Sequence, residues 1–281
     1  MRAKLTLAAA AAATLAATVL TPLAPASSVV GGDLDGNGHP NVAMVAWFDP
    51  VEQARFRCTA TLISERVLLT AGHCTDSVVG KHIVTFESVA PPLGNPPPAA
   101  TGYTTANKPA GYVTGTAIPH PLWTGKLRNK DLFDTGVVVL DQPVGLTPAT
   151  LAPRDYFADK AVNDLKSEPF TVVGYGVFFE RADGGPQKPV SVSDRTRRVT
   201  TAALQNIVGQ AIQLNESATD SRYGGGTCFG DSGGPIYYRG LLVGDTSYGG
   251  SQFCKGMGGY QRIDDPRVWD WLQARIAAAA S

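Results

Sequence analysis

The sequence predicts an all-β fold, built as antiparallel barrels or sandwiches, with helix confined to the C-terminus. Three observations lead there. Past residue 40 the chain is a series of short β-type runs, helical periodicity is almost absent before residue 265, and 31 glycines with 20 prolines supply turns.

The first set of runs is VAMVAW at 42, TATLI at 59, RVLLT at 66, HIVTF at 82 and GVVVL at 136, rich in Val, Ile, Thr and aromatic residues. The second is FTVVGYGV at 170, RRVTTAAL at 197, AIQLN at 211, PIYYRGLLVG at 235 and GYQRI at 259. Between them, DQPVGLTPAT at 141–150 is the predicted join, which gives domains of 29–145 and 146–281. The stretches 90–102 and 180–189 hold too much proline and glycine for ladder hydrogen bonds and read as loops. In DPRVWDWLQARIA, Val268, Trp269, Leu272 and Ile276 share one helical face after the start signals Asp265 and Pro266.

Arg2 and Lys4 precede an apolar stretch from Leu5 to Leu20, followed by the small residues APASS at 24–28. This reads as a secretory signal peptide cut after Ser28 or after Ala26, and places the protein outside the cell. Arg2 and Lys4 are the only charged residues up to Ser28, so the mature chain carries 22 Lys+Arg against 24 Asp+Glu. That balance offers no electrostatic handle for nucleic acid or an anionic membrane. Four cysteines in an exported chain suit two disulfides, and the lack of a C-x-x-C pair argues against a four-cysteine metal site.

The string CFGDSGGP at 228–235 raises a chemical question. Alone it is a glycine-built turn, yet it would also present Ser232 as a nucleophile if a base, an orienting acid and an oxyanion site exist elsewhere. His73, in LLTAGHC, lies at a strand end beside Cys74 and is the candidate base. Asp134 directly precedes the apolar run 137–140, the buried position that an acid orienting an imidazolium needs. Asp131, beside Lys130, reads as a solvated loop charge. The chain order His73, Asp134, Ser232 is one of those in which this triad occurs. The amides of Gly230 and Ser232 would make the oxyanion hole.

TAGHC, the aspartate before an apolar strand and GDSGGP together resemble the trypsin/chymotrypsin family of serine proteases. The similarity extends to VVGG at 29, VVGYG at 172, TSYGG at 246 and WDWLQARI at 269. It implies two six-stranded antiparallel β-barrels with a C-terminal helix, and a secreted serine endopeptidase with its site in the cleft between them. It also implies disulfides pairing Cys58 with Cys74 and Cys228 with Cys254, and Ser247 hydrogen-bonded to the acid. The freed amine of Val29 would be buried against Asp231. The base of the primary specificity pocket would be Gly226 with Thr227, flanked by Ser247, Tyr248 and Gly249 on one strand and by Gly258 opposite. A floor without fixed charge predicts cleavage after apolar or aromatic residues, and disfavours Lys and Arg unless an acid arrives from another loop. The expected partner is a polypeptide substrate, with a protein inhibitor conceivable; no cofactor or metal is implied, and a monomer is expected. A non-catalytic binding protein on the same fold, or an esterase using the same triad, are the competing readings.

Departures and weaker signals complete the reading. Thr135 and Gly136 stand where the family more often has an apolar residue and alanine. DLDGNG at 33–38 matches half a calcium loop, but its twelfth position is Met44 rather than an acid, so a turn is expected. Asn215 opens a glycosylation sequon to which no role is assigned. His39, His82 and His120 lack metal-ligand spacing and read as surface or core residues.

Overall fold

The computed structural model describes residues 32–127, 132–180, 190–217, 220–251 and 253–280. A short strand β1 (Asp33–Leu34) leads into β2 (Val42–Asp49), β3 (Ala54–Leu62), β4 (Val67–Thr70), β5 (His82–Thr85), β6 (Val113–Pro119) and β7 (Gly136–Leu140). Strands β2 to β7 close a barrel in the order β2-β3-β4-β7-β6-β5. After a one-turn helix α1 (Val162–Leu165) come β8 (Phe170–Gly174), β9 (Phe178–Glu180), β10 (Val190–Val192), β11 (Arg198–Val208), β12 (Ala211–Asn215), β13 (Pro235–Tyr238), β14 (Leu241–Gly249) and β15 (Met257–Arg262). Strands β8, β11, β12, β15, β14 and β13 form a second closed barrel, with β1 added to β11 and a separate β9–β10 pair. The helix α2 (Pro266–Ala280) ends the chain.

The local sequence explains these elements. Residues 42–48 are all buried, because β2 faces the barrel interior through Ala43, Val45 and Trp47 and the second barrel's side through Met44 and Phe48. A strand covered on both faces needs a continuous apolar run rather than alternation. Helix α2 buries Val268 and Leu272 on its apolar face, packed with Val67, Leu69 and Val137 of the first barrel. The segment 141–150 holds no strand or helix, and its end bridges the barrels: Ala149 N–H donates to Leu62 O and Leu242 N–H to Thr150 O.

Several elements differ from the sequence expectation: helix is not confined to the C-terminus, since α1 forms one turn at Val162–Leu165, and β1, β9 and β10 lie outside the expected runs. Strand β6 was not anticipated, because Gly115 and Pro119 within VTGTAIP read as breakers. The run at 235–244 is a hairpin, turning at Arg239 and Gly240 with φ of 51° and 76°. Two consecutive positive φ values match the right-handed twist of a hairpin. Residues 181–189, expected as a loop, lie outside the described residues.

The segment 33–38 is a turn whose carboxylate is already engaged. Asp35 accepts hydrogen bonds from Arg197 Nε at 2.7 Å and His39 N at 3.0 Å, and pairs with His39 Nδ1. Burial alone would raise the Asp35 pKa, but the His39 and Arg197 bonds outweigh it and lower it. Arg197 is itself 1% exposed and also donates to the carbonyls of Gly36, Val42 and Phe86 and to the Tyr175 hydroxyl. It thereby ties the entry segment to both barrels. Replacing it with methionine should destabilise the protein by about 3–5 kcal/mol, since Asp35 would lose its buried partner. Denaturant titration checks this; a change below about 1 kcal/mol would refute the anchoring role.

Candidate active site

His73 sits in a single 3-10 turn, Gly72–Cys74, directly after β4. Cys74 is disulfide-bonded to Cys58 on β3, so the turn is fastened to the barrel wall at a Cα separation of 6.2 Å. Across the barrel edge, Asp134 precedes β7 and is fully buried. Its Oδ2 lies 2.9 Å from His73 Nδ1 and accepts from Ser247 Oγ at 2.6 Å, while Oδ1 accepts from His73 N at 2.9 Å. The carboxylate thus fixes both the ring and the backbone of the histidine. With Nδ1 donating to Asp134, Nε2 is the ring nitrogen left to accept a proton.

Ser232 enters from the second barrel in a turn with positive φ at Gly230 (98°) and Gly233 (75°), a geometry that favours glycine. Asp231 N–H is bonded to Cys228 O within the turn, whereas the amides of Gly230 and Ser232 have no acceptor among the described residues. The two free N–H groups are those expected for the oxyanion hole. Thr59 on β3 holds the turn from the first barrel: its N–H donates to Ser232 O at 2.8 Å and its Oγ1 to Gly230 O at 2.9 Å.

His73, Ser232, Ser247, Thr227, Gly249 and Trp123 line a common cavity of about 640 Å³. Cys228–Cys254 braces its far wall. Along that wall β14 pairs with β15 in a register that sets Gly249 opposite Gly258 and Tyr248 opposite Gly259. His73, Ser232, Ser247, Thr227, Tyr248 and Gly249 line this cavity, Asp134 bonds to His73 and Ser247 behind it, and Gly258 pairs with Gly249. Val29 and Asp131 lie outside the described residues.

Behind Gly226 and Thr227 stands an acid that the sequence reading did not place there. Glu216, just past β12, is 1% exposed and accepts hydrogen bonds from Thr227 N, Thr227 Oγ1 and Tyr260 OH. A side chain at Gly226 or Gly258 would overlap it, so the two glycines leave the room that Glu216 fills. Burial pushes its pKa up. The available signal was alternation: Ile212 and Leu214 point into the core, and Glu216 is the next position on that face. Thr59 and Trp123 also went unread, because each acts across a tertiary contact that leaves no local motif.

Two other acids shape the electrostatics. Asp231 is fully buried and accepts from Gly176 N at 2.7 Å and Cys228 N at 2.8 Å. Burial raises its pKa to about 7, against the pull of those two amides. Asp245 on β14 is also fully buried, and burial followed by repulsion from Asp134 holds its pKa well above the carboxylate range. The remaining histidines have structural surroundings. His82 is buried against Cys74 O with its pKa lowered to about 4 by desolvation, and His120 stacks on Phe133. The sulfurs of Cys58 and Cys74 and a His73 nitrogen lie within 4.8 Å of one another, but the sulfurs are bonded to each other and so are not thiolate ligands.

Two closed barrels with a buried aspartate bonded to a histidine, and a serine on a glycine turn facing the same cavity, define the chymotrypsin-like class of proteins. The family model described as Trypsin matches residues 30–272, and the chain belongs to that family. It is 27% identical over 230 residues to Brachyurin of Leptuca pugilator, covering 78% of this chain and 87% of that protein. It is 28% identical over 266 residues to Trypsin of Saccharopolyspora erythraea, covering 90% of this chain and all of that protein. Among solved structures, HL collagenase has the same fold at a TM-score of 0.60 and 19% identity, covering 88% of this chain and 96% of its own.

Proposed function

We propose that this chain is a secreted serine endopeptidase that hydrolyses peptide bonds through a Ser232–His73–Asp134 triad and an acyl-enzyme. Ser232 Oγ attacks the scissile carbonyl carbon while His73 Nε2 takes the hydroxyl proton. Asp134 holds the ring in the tautomer that can accept, and compensates the imidazolium that forms. The carbonyl oxygen, now an anion, is met by the free amides of Gly230 and Ser232. Collapse expels the amine, protonated by His73, and water repeats the sequence to release the acid. The observation that supports this reading most is the Asp134 carboxylate, which collects His73 Nδ1, His73 N and Ser247 Oγ at 2.6–2.9 Å beside the cavity that Ser232 lines.

Secretion rests on the leader at 1–28 and on the two disulfides, which persist in oxidising compartments. The mature chain would run from Val29 as barrels of 29–145 and 146–281. Gly249 and Gly258 favour a long P1 side chain, apolar or aromatic, in a cavity whose described lining carries no acid.

The test is labelling with a small fluorophosphonate, followed by peptide mapping and peptide-hydrolysis assays. Modification at Ser232, with cleavage inside a polypeptide, is the expected result. Labelling with ester but no peptide hydrolysis would make it an esterase. No labelling of folded protein would make it a binding protein on this fold and overturn the proposal.

A further inference from the structure

We propose that Arg57 is a specificity residue for the leaving-group side of the scissile bond, where it selects an acidic side chain, aspartate or glutamate, in the first two positions of the departing chain. This rests on the endopeptidase reading above and adds a substrate preference to it. Place, lack of a partner and surrounding charge each support it.

Arg55, Arg57 and Thr59 share one face of β3, and Thr59 Oγ1 on that face donates to Gly230 O in the nucleophile turn. The Arg57 guanidinium lies against the same glycine: a Cβ on Gly230 would stand 3.1 Å from Arg57 Nε and 3.5 Å from Nη2. Gly230 carries one of the two amides proposed to meet the oxyanion, so Arg57 is one residue's width from the reacting carbonyl. The cavity that Thr227, Ser247 and Gly249 line beside Ser232 would take the acyl half of the substrate. Arg57 is absent from that lining and approaches the turn from β3 of the first barrel, next to Cys58. That is the side by which the chain after the scissile bond must leave.

The side chain is held there without a partner. Arg57 Nε is buried and unbonded, and no ion pair involves the guanidinium among the described residues. Its neighbour on the same face, Arg55, is by contrast engaged, with Nη1 donating to Gly94 O at 2.7 Å. A half-buried guanidinium with open donors in a planar fork matches a carboxylate.

The charges around Arg57 leave the same opening. Desolvation acts most strongly on it and lowers its pKa; Arg195 adds to that, while Asp231 and Asp194 oppose it. Both acids are committed elsewhere. Asp231 accepts from the amides of Gly176 and Cys228, and Asp194 accepts from Arg198 Nη1 and Nη2 at 2.9 and 2.8 Å. A carboxylate brought by the substrate would supply the hydrogen bonds that burial has removed and offset the repulsion from Arg195. A lysine in that place would add a like charge.

The experiment uses the mature protein and internally quenched peptides that differ only in the two positions after the scissile bond, which carry Asp, Glu, Ala or Lys. The wild type should cleave the acidic peptides at least about tenfold faster in kcat/KM than the lysine ones, and about 0.5 M salt should erode that ratio. Arg57→Gln should bring the acid-to-lysine ratio to within about twofold of unity, and Arg57→Lys should restore part of it. A wild-type profile indifferent to acids, or led by Lys, overturns the proposal without recourse to any variant. So does an Arg57→Gln variant that slows on every peptide alike, since that marks a role through Asp231 alone. Calorimetric binding of the same peptides to Ser232→Ala, which needs no turnover, separates the two readings. Preferential binding of the acidic peptide, abolished by Arg57→Gln, in a protein whose wild type hydrolyses nothing would uphold the subsite and reject the peptidase. Active protein whose cleavage ignores the residues after the scissile bond would do the reverse.

Discussion

Ser232→Ala should lower kcat by a factor on the order of 10⁴ to 10⁶ while leaving the protein folded. The fold should survive because the anchors of the turn are backbone atoms. Ser232 O is held by Thr59 N, Gly233 N by Thr246 O and Gly234 N by Asp231 O, and none of these involves Oγ. Stability is therefore expected within about 0.5 kcal/mol of wild type. His73→Ala should cost a similar factor, and the double variant little more than either single one, since the residues act as a unit. Steady-state kinetics with a peptide substrate measure the loss. Turnover within tenfold of wild type in Ser232→Ala would reject the mechanism.

The second large effect concerns the amino terminus. A protein beginning at Val29 should be active, and one that retains Ser27 and Ser28 should lose about 10² to 10³-fold in kcat/KM, the equivalent of a broken buried ion pair. The reason is Asp231, the residue before the nucleophile. Its ionisation is opposed by burial and by Glu216, and favoured by the amides of Cys228 and Gly176 and by Arg57, with a resulting pKa of about 7. The sign of the linkage follows. Below the ordinary value of 3.8 the carboxyl is protonated folded and unfolded alike, so it contributes no difference. As pH rises towards 7 the unfolded chain loses the proton first, and the extended form loses stability, by on the order of a few kcal/mol in total. A Val29 ammonium that pairs with Asp231 removes this penalty, so the trimmed form should show little change over the same interval. Intact mass, activity and denaturation of the two forms between pH 4 and 8 decide the matter. Equal activity would reject the pair.

The chemistry of the site was more legible than its surroundings, for a physical reason. A nucleophile turn needs glycines at fixed offsets, a base needs a strand end beside a disulfide, and an orienting acid needs an apolar run behind it. Each demand is met within a few residues, so Ser232, His73 and Asp134 stand out in the sequence. The barrels were legible for the same reason in β2, β4 and β7, where apolar runs are unbroken. Strand β6 was hidden by Gly115 and Pro119, and the β13–β14 hairpin by a turn made from Arg239 and Gly240. Glu216 was hidden because the room it fills depends on the missing side chains at Gly226, in the following loop, and at Gly258, brought beside it only once β12 and β15 are paired. Local composition reports what a residue is; the pocket depends on which vacancy it fills.

Strand β3 sets the precision of the whole site. Cys58 fastens the turn of His73, and the next residue, Thr59, fastens the turn of Ser232, so base and nucleophile are located from adjoining points on one strand. Positional error in this arrangement does not accumulate across the join between the barrels. It is confined to one disulfide and to three hydrogen bonds at Thr59, the third being Tyr175 N to its Oγ1 at 3.0 Å. A displacement large enough to part base and nucleophile must break these three bonds and also strain the Ser247 Oγ to Asp134 bond, which joins β14 to the acid of the first barrel. Loss of alignment should then be a single cooperative event rather than a gradual drift, with turnover holding near its full value until the barrels come apart.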